Sequence, residues 1–177
     1  MARLCRDASL EEQEVTVWQN LDTPIGELVL VGSAEGLYEI LFPNSWRREE
    51  IWKSLPEGCL EPAAKELRAY FEGTLREFRT PLAPKGTAFQ QNVWNMLRAI
   101  PYGETTTYGA LAQQLRNPNA SRAVGTANGA NPLPIVVPCH RVIGSSGKLT
   151  GFAGGLEVKS WLLGWERHCK FFGCDRE

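Results

Sequence analysis

A short segment with two prolines and a glycine divides this sequence into two parts of different character. Pro81, Pro84 and Gly86 lie close together, and proline ends helices and strands because it lacks an amide hydrogen and fixes φ. The chain has 177 residues, which is enough for two small domains that share an interface. We therefore predict one domain over residues 1–85 and another over residues 86–177.

The first part has the pattern of an antiparallel meander. Runs at 14–19, 27–31 and 37–42 have the alternation or the side chains typical of strands, and turn residues separate them. Residues 62–72 then place apolar side chains at helical spacing, and Gly73 provides a stop signal. This pattern predicts a small sheet with one helix.

The second part has the spacing of helices. Residues 87–90 fit a capping box at the start of the first helix. A second helix is predicted over 108–115, a third from Asn117 as its N-cap to about Gly129, and a last one over 156–166. Two short helices joined by a tight turn indicate a helix-turn-helix. Together the two parts predict an α/β fold of the α+β type, a small sheet domain followed by a mainly helical one.

The second part is also poor in acids. Between residues 86 and 150 the only acid is Glu104, and the bases in the same stretch are Arg98, Arg116, Arg122, Arg141 and Lys148. Such a surface can face a polyanion such as nucleic acid, although it is equally typical of an ordinary solvated surface. The net charge of the chain, −1, does not decide between the two.

The cysteines and the termini favour a reducing compartment. The chain has an odd number of cysteines, and residues 1–14 are too polar for a secretory signal. No apolar run approaches the ~20 residues of a membrane helix. His168 and its neighbouring cysteines lack the paired spacing of zinc ligands, so no metal is expected. We therefore predict a cytoplasmic protein, or a nuclear one in a eukaryote. Free thiols are the simplest interpretation of its five cysteines, and the sequence leaves open a disulfide or metal site at Cys5, Cys59, Cys169 or Cys174.

Cys139 follows an apolar run that suggests a buried strand. Residues 135–137 lead into it, and His140 comes directly after it. A buried thiol is usually inert, but an imidazole nearby can accept its proton. Because adjacent side chains on an extended backbone point apart, a relay through water is favoured over a direct contact. A Cys–His protease pair is disfavoured, since those residues usually lie far apart in sequence. The pattern alone leaves inert packing and catalysis both open.

A longer string around Cys139 resembles a known family. Residues 131–144, Asn-Pro-Leu-Pro-Ile-Val-Val-Pro-Cys-His-Arg-Val-Ile-Gly, resemble the active-site signature of the O6-alkylguanine-DNA alkyltransferases. The resemblance covers roughly residues 89–166, whereas the first 85 residues match the family only in layout. The further matching segments are 100–105, 107–108, 121–125, 145–147, 154–156 and 159–163.

This resemblance implies catalytic roles for five residues. Cys139 would be the nucleophile that takes the alkyl group, and His140 would draw off its proton through a water molecule. Glu166 would orient His140 and stabilise its charge. Asn131 would brace the hinge between the helix-turn-helix and the thiol. Tyr108 would rotate the target phosphate and donate a proton towards N3 of the departing guanine.

The resemblance also implies the residues that bind the base and the duplex. Backbone groups of Cys139, Val142 and Ala153 would bind the guanine edge, and the Phe152 ring would wall the pocket. Phe152 replaces a common tyrosine of the family, and Ala153 a common serine. Arg122 would take the place of the extruded base. The DNA-binding residues implied in this way are Tyr108, Ser121, Arg122, Ala123, Gly125 and Ser145.

The implied activity is the direct repair of alkylated duplex DNA. The alkyl group of O6-alkylguanine, and of O4-alkylthymine, would pass to Cys139 after base flipping. Because nothing in the chain could hydrolyse the resulting thioether, the protein would act once. It would need no cofactor and no membrane, and it would be a monomer whose partner is double-stranded DNA containing O6-alkylguanine. The alternative is a DNA-binding sensor of alkylation or oxidation that uses the same cysteine.

Overall fold

The computed structural model describes residues 15–173. The start of the first predicted strand, the polar N-terminus at 1–14, Cys5 and Cys174 lie outside the described residues.

Three antiparallel strands form the N-terminal sheet in the order β1-β2-β3. They are β1 (Val17–Leu21), β2 (Leu28–Ser33) and β3 (Gly36–Leu41). This confirms the predicted meander, although β1 runs past the predicted end at residue 19. The central strand β2 is buried on both faces, because Leu28 and Leu30 face one apolar cluster and Val29 and Val31 face another.

Each face of this sheet is covered by a helix. The predicted helix is α2 (Glu61–Phe71), which buries Leu67 and Tyr70 in the larger cluster. The other helix, α1 (Arg47–Ser54), was not predicted. Ile51 is its only buried apolar residue, so its sequence lacks the apolar stripe by which a helix is usually found.

The C-terminal part is mainly helical, as predicted. Its helices are α3 (Ala88–Arg98), α4 (Tyr108–Gln114), α5 (Ser121–Gly129) and α6 (Leu156–Phe172), and the two-residue strands β4 (Thr106–Thr107) and β5 (Val142–Ile143) pair in parallel. The capping box at Thr87 is confirmed, since its hydroxyl accepts from the Gln90 amide and the Gln90 side chain accepts from the Thr87 amide.

The third and last helices differ from their predicted bounds. Pro118–Ala120 forms a 3-10 turn, and the α-helix begins only at Ser121. Asn117 is the N-cap of this 3-10 turn and Pro118 follows it, as predicted, but the Asn117 side chain makes no capping hydrogen bond. Helix α6 continues to Phe172 rather than ending at 166. None of the helices between residues 15 and 173 combines the length and apolar character needed to cross a membrane.

One hydrophobic core joins the two parts of the chain. It contains Leu30 and Leu67 from the N-terminal part and Leu97, Leu133 and Leu162 from the C-terminal part. The packing of these side chains therefore holds α6 and the segment around Cys139 against the N-terminal part of the chain. The predicted boundary between residues 85 and 86 stays a prediction.

Candidate active site and nucleic-acid interface

The segment that leads to Cys139 is a tight buried turn, so the extended run predicted at 135–137 is wrong. Ile135 has a φ of 75°, a left-handed conformation that β-branched residues rarely adopt. The Val137 amide donates to the Leu133 carbonyl at 2.8 Å and closes the turn. A short apolar run indicates burial, but it does not distinguish a strand from a buried turn.

Asn131 holds both ends of this turn. Its Nδ2 donates to the Val137 carbonyl at 2.8 Å, and its Oδ1 accepts from the Leu133 amide at 3.0 Å. The side chain is buried, so these bonds are shielded from competing water. Asn131 thus fixes the path of the chain between α5 and Cys139.

Cys139 begins a 3-10 turn that runs to Arg141. Its thiol and the His140 imidazole therefore do not alternate across a strand, which corrects the geometry assumed for an extended backbone. Burial raises the pKa of the thiol to about 11, against opposing effects of a hydrogen bond with Asn131 and the charge of Lys159. The thiol is consequently protonated at neutral pH and needs a base before it can react.

Four residues converge on the carboxylate of Glu166. Oε1 lies 2.8 Å from Nε2 of His140, 2.9 Å from the Tyr70 hydroxyl and 2.9 Å from Nη2 of Arg141. Oε2 accepts from Nε of Arg141 at 2.9 Å and from the Gly103 amide at 3.0 Å. The side chain has no exposed surface, so protein donors replace its hydration completely.

These contacts decide the charges in the site. Burial alone would raise the pKa of Glu166, but hydrogen bonds from His140 and Arg141 hold it at about 2. Burial lowers the pKa of His140 more than Glu166 raises it. A neutral imidazole facing an ionised carboxylate must carry its proton on Nε2. Nδ1, which is buried without a hydrogen-bond partner among residues 15–173, is then the basic nitrogen.

Several residues of this network were not predicted. Arg141 directly follows the Cys139–His140 pair, and its place in the motif was the signal that could have found it. Tyr70 lies 96 positions before Glu166 in the sequence, and no local pattern indicates such a contact. Lys159 is fully buried, and its ammonium donates to the carbonyls of Val142 at 2.7 Å and Thr150 at 2.8 Å.

A surface cleft of about 930 Å³ gathers most of the residues predicted to bind base and duplex. Two residues that line this cleft are bonded to each other, since the Tyr108 hydroxyl accepts a hydrogen bond from Thr150 Oγ1 at 3.1 Å. Ala123 is exposed on α5 but does not line the cleft, and the buried Cys139 and Val142 do not line it either. The predicted residues that do line it are Tyr108, Ser121, Arg122, Gly125, Ser145, Phe152 and Ala153.

Arg122 is exposed at the start of α5. No carboxylate within residues 15–173 forms an ion pair with its guanidinium. A guanidinium in this state is available to a phosphate or a base. Its neighbours on the cleft side of the helix, Ser121 and Gly125, are small, which leaves room for a close approach to α5.

The cysteines depart in part from the prediction of free thiols. Cys59 and Cys139 are free, the first exposed and the second buried. Cys169 in α6 is disulfide-bonded, which departs from the simplest interpretation, because spacing along the chain does not report distances in the fold. No group of three or more His, Cys, Asp and Glu side chains among residues 15–173 is arranged to hold a metal ion.

Two family models together match most of the chain. The model described as 6-O-methylguanine DNA methyltransferase, ribonuclease-like domain, matches residues 16–84. The model described as 6-O-methylguanine DNA methyltransferase, DNA binding domain, matches residues 88–168.

Individual relatives resemble this chain over nearly their whole length. A methylated-DNA–protein-cysteine methyltransferase of Methanosarcina acetivorans is 50% identical over 150 residues, or 84% of this chain and 96% of that protein. The crystal structure of the Mycobacterium tuberculosis O6-methylguanine methyltransferase superposes with a TM-score of 0.80 at 45% identity, over 86% of this chain and 93% of that one. A structure of the same organism's protein in complex with DNA gives a TM-score of 0.78 at 46% identity, over 85% and 92% of the two chains. The chain therefore belongs to the O6-methylguanine-DNA methyltransferase family.

Proposed function

We propose that this protein repairs duplex DNA by transferring the alkyl group of O6-alkylguanine to Sγ of Cys139, once per molecule. The observation that carries this proposal is the buried Cys139 thiol in the same turn as His140, a neutral imidazole whose Nε2 is engaged by the ionised Glu166. The names of the relatives, which describe transfer from methylated DNA to a protein cysteine, support the same activity.

The first step is removal of the thiol proton. Nδ1 of His140 accepts it through a bridging water, and the imidazolium that forms lies against the Glu166 carboxylate. Because the pKa of Glu166 is held at about 2, this carboxylate is charged at neutral pH. The attraction between the imidazolium and the Glu166 carboxylate offsets the cost of making a thiolate in a buried site whose thiol pKa is about 11.

The second step is a displacement at the alkyl carbon. The Cys139 thiolate forms a carbon–sulfur bond while the bond between that carbon and guanine O6 breaks. Guanine is a poor leaving group as an anion, so the Tyr108 hydroxyl gives its proton to N3 as the bond breaks, a form of catalysis worth ~10²–10⁴-fold. The hydrogen bond from Thr150 to the Tyr108 oxygen stabilises the negative charge that the proton leaves behind.

The duplex binds across α5 and the cleft. The target base must leave the stack to reach Cys139, and the exposed Arg122 occupies the gap, where its planar cation stacks and donates hydrogen bonds. As the family resemblance implies, α5 lies in the minor groove, where DNA-binding proteins insert side chains between base steps. The flipped guanine enters the cleft of about 930 Å³, where Phe152 stacks beside it and backbone groups of Cys139, Val142 and Ala153 bind its edge.

The proposal also covers the other DNA-binding residues, a second substrate, and the oligomeric state and location of the protein. Ser121 and Ser145 line the cleft and bind phosphates. Ala123 and Gly125 have small side chains, so the DNA can approach the backbone of α5 closely. O4-alkylthymine carries its alkyl group on a similar exocyclic oxygen and is a second substrate. The protein works as a monomer in the cytoplasm, with Cys139 as a free thiol.

Intact-protein mass spectrometry tests the proposal. After incubation with duplex DNA that contains O6-methylguanine, the protein should gain one methyl group, and peptide mapping should place it on Cys139. Cys139→Ala should lose transfer while keeping duplex binding nearly intact. Transfer to Cys59 in that variant would contradict the assignment.

The same reaction separates repair from the sensor alternative. A repair protein restores unmodified guanine in the DNA in proportion to the protein that is alkylated. A sensor leaves the lesion in place, so digestion of the recovered DNA to nucleosides would still show O6-methylguanine. Restored guanine at one equivalent per protein would exclude both the sensor and a hydrolase that turns over.

A further inference from the structure

The N-terminal part of the chain reaches the loop that walls the cleft. Phe42 follows the last residue of β3 and is buried, with 3% of its surface exposed. Its ring packs edge-on against the ring of Phe152, with 5.4 Å between the centroids. A residue of the N-terminal part of the chain therefore supports a side chain that lines the cleft.

Phe42 also determines where the backbone of this loop lies. A Cβ built on Gly154 would be 2.9 Å from two atoms of the Phe42 ring, closer than real Cβ atoms approach a neighbour. Gly154 is not among the glycines with positive φ, so the ring and not the backbone conformation excludes a side chain there. The loop therefore packs directly against the ring of Phe42.

The loop has free space beside two of its other glycines. A Cβ on Gly151 or Gly155 would meet no atom within 4 Å, so no neighbouring atom blocks a small shift of the loop at these two positions. Phe152, between them, has its ring centroid 6.4 Å from that of His140. A shift of this loop therefore changes the space beside the reactive centre.

We propose that Phe42 is a specificity-determining residue, which sets the size of the alkyl group accepted by fixing the Phe152 ring and the Gly154 backbone against the cleft. The inference rests on the proposed alkyl transfer to Cys139. Replacing Phe42 by a small residue leaves space behind the loop, into which Phe152 moves when a large alkyl group enters. Adding a side chain to Gly154 does the reverse, since it pushes the loop away from Phe42 and into the cleft.

The test compares single-turnover rates of transfer from duplexes that contain O6-methylguanine or O6-benzylguanine. Phe42→Ala should raise the ratio of the benzyl rate to the methyl rate by about tenfold, a typical effect of a small change in pocket volume. Gly154→Ala should lower that ratio. The double variant Phe42→Ala/Gly154→Ala should return towards the wild-type ratio, because the removed ring makes room for the added methyl group.

Phe71→Ala is the matched control. Phe71 is an N-terminal phenylalanine with the same 3% exposure, and it lies in α2, where its ring neighbours are Tyr70 and Trp161 rather than Phe152. Damage to the fold changes both rates alike, so this variant should keep the wild-type ratio.

The outcomes are distinguishable. If Phe42→Ala fails to fold, Gly154→Ala and the milder Phe42→Leu still give the two opposite shifts. Equal scaling of both rates in Phe42→Ala and Gly154→Ala, without rescue in the double variant, would overturn the role of Phe42. Absence of any transfer by the wild-type protein would instead overturn the proposed function.

Discussion

Glu166 keeps its negative charge inside the protein because His140 and Arg141 donate hydrogen bonds to it. Glu166→Gln removes the charge that stabilises the imidazolium, so the thiol loses its proton less readily. We expect transfer to slow on the order of 10²-fold and the pH–rate profile to move to higher pH. Single-turnover reactions with free O6-benzylguanine across a range of pH measure both effects. A profile identical to that of the wild type would remove Glu166 from the relay.

The same carboxylate should make the free energy of unfolding depend on pH in the acid range. The folded pKa of Glu166 is about 2, below its usual value of 4.5, so the unfolded chain binds the proton more tightly. The stabilisation, about 3 kcal/mol, is complete above pH 4.5 and is lost as the pH falls towards 2. We expect Glu166→Gln to weaken the fall of unfolding free energy between these values, as measured by urea unfolding at several pH values. An equally steep fall in the variant would assign the acid sensitivity to other groups.

Tyr70 should matter for stability through its hydroxyl. In Tyr70→Phe the Oε1 atom of Glu166 loses a donor in a fully buried site, and hydrogen bonds to charged groups contribute about 1.5–3 kcal/mol. We expect urea unfolding to show a loss of that size. Tyr38→Phe is the control, because the Tyr38 hydroxyl bonds to Ser33 in a partly exposed position. Equal losses in the two variants would mean that burial of the bond has no effect.

Single site residues could be predicted from the sequence where the groups that act together are neighbours in the chain. Cys139 and His140 were identified as a candidate pair because they are adjacent. Glu166 was predicted as a site residue only because of the family resemblance. Tyr70 was not found, since its partner is remote in sequence and no periodicity links the two. The partners of a buried charge depend on how elements pack, which a single sequence does not state.

Helix α5 presents Arg122 as an exposed cation at the cleft. Arg122→Ala should reduce repair in duplex DNA by at least about tenfold more than it reduces the reaction with free O6-benzylguanine, because only the duplex requires base flipping. Arg98→Ala is the control, since Arg98 is exposed on α3 away from this cleft. Equal losses on the two substrates in Arg122→Ala would show that Arg122 shapes the pocket instead.

Elements were predictable in proportion to the strength of their local signals. The start of α3 was correct because Thr87 and Gln90 specify a capping box on their own. Helix α1 was missed because only Ile51 supplies a buried apolar side chain. The turn at Ile135 was predicted as a strand, since a short apolar run reports burial without reporting backbone direction.

The whole molecule should be less stable after it has reacted. The Cys139 thiol lies in a site with 4% of the residue exposed, and alkylation adds atoms there and removes a group that His140 could engage. Overpacking costs ~1–3 kcal/mol, which lowers the melting temperature by roughly 2–4 °C per kcal/mol in a chain of this size. Thermal melts of the unmodified, methylated and benzylated forms measure the effect, and benzyl should cost more than methyl. Identical melting temperatures would indicate a pocket with room to spare.

A single carboxylate connects distant stretches of the chain. Glu166 in α6 is bonded to Tyr70 in α2, to Gly103 after α3 and to the turn that contains His140. Cohesion and reactivity therefore depend on the same bonds. A copy that is nicked or partly opened loses these bonds together, so Cys139 loses both its nearby proton acceptor and the burial that raises its thiol pKa to about 11. Damaged copies of this protein therefore lose directed alkyl transfer and keep only the ordinary reactivity of an exposed cysteine.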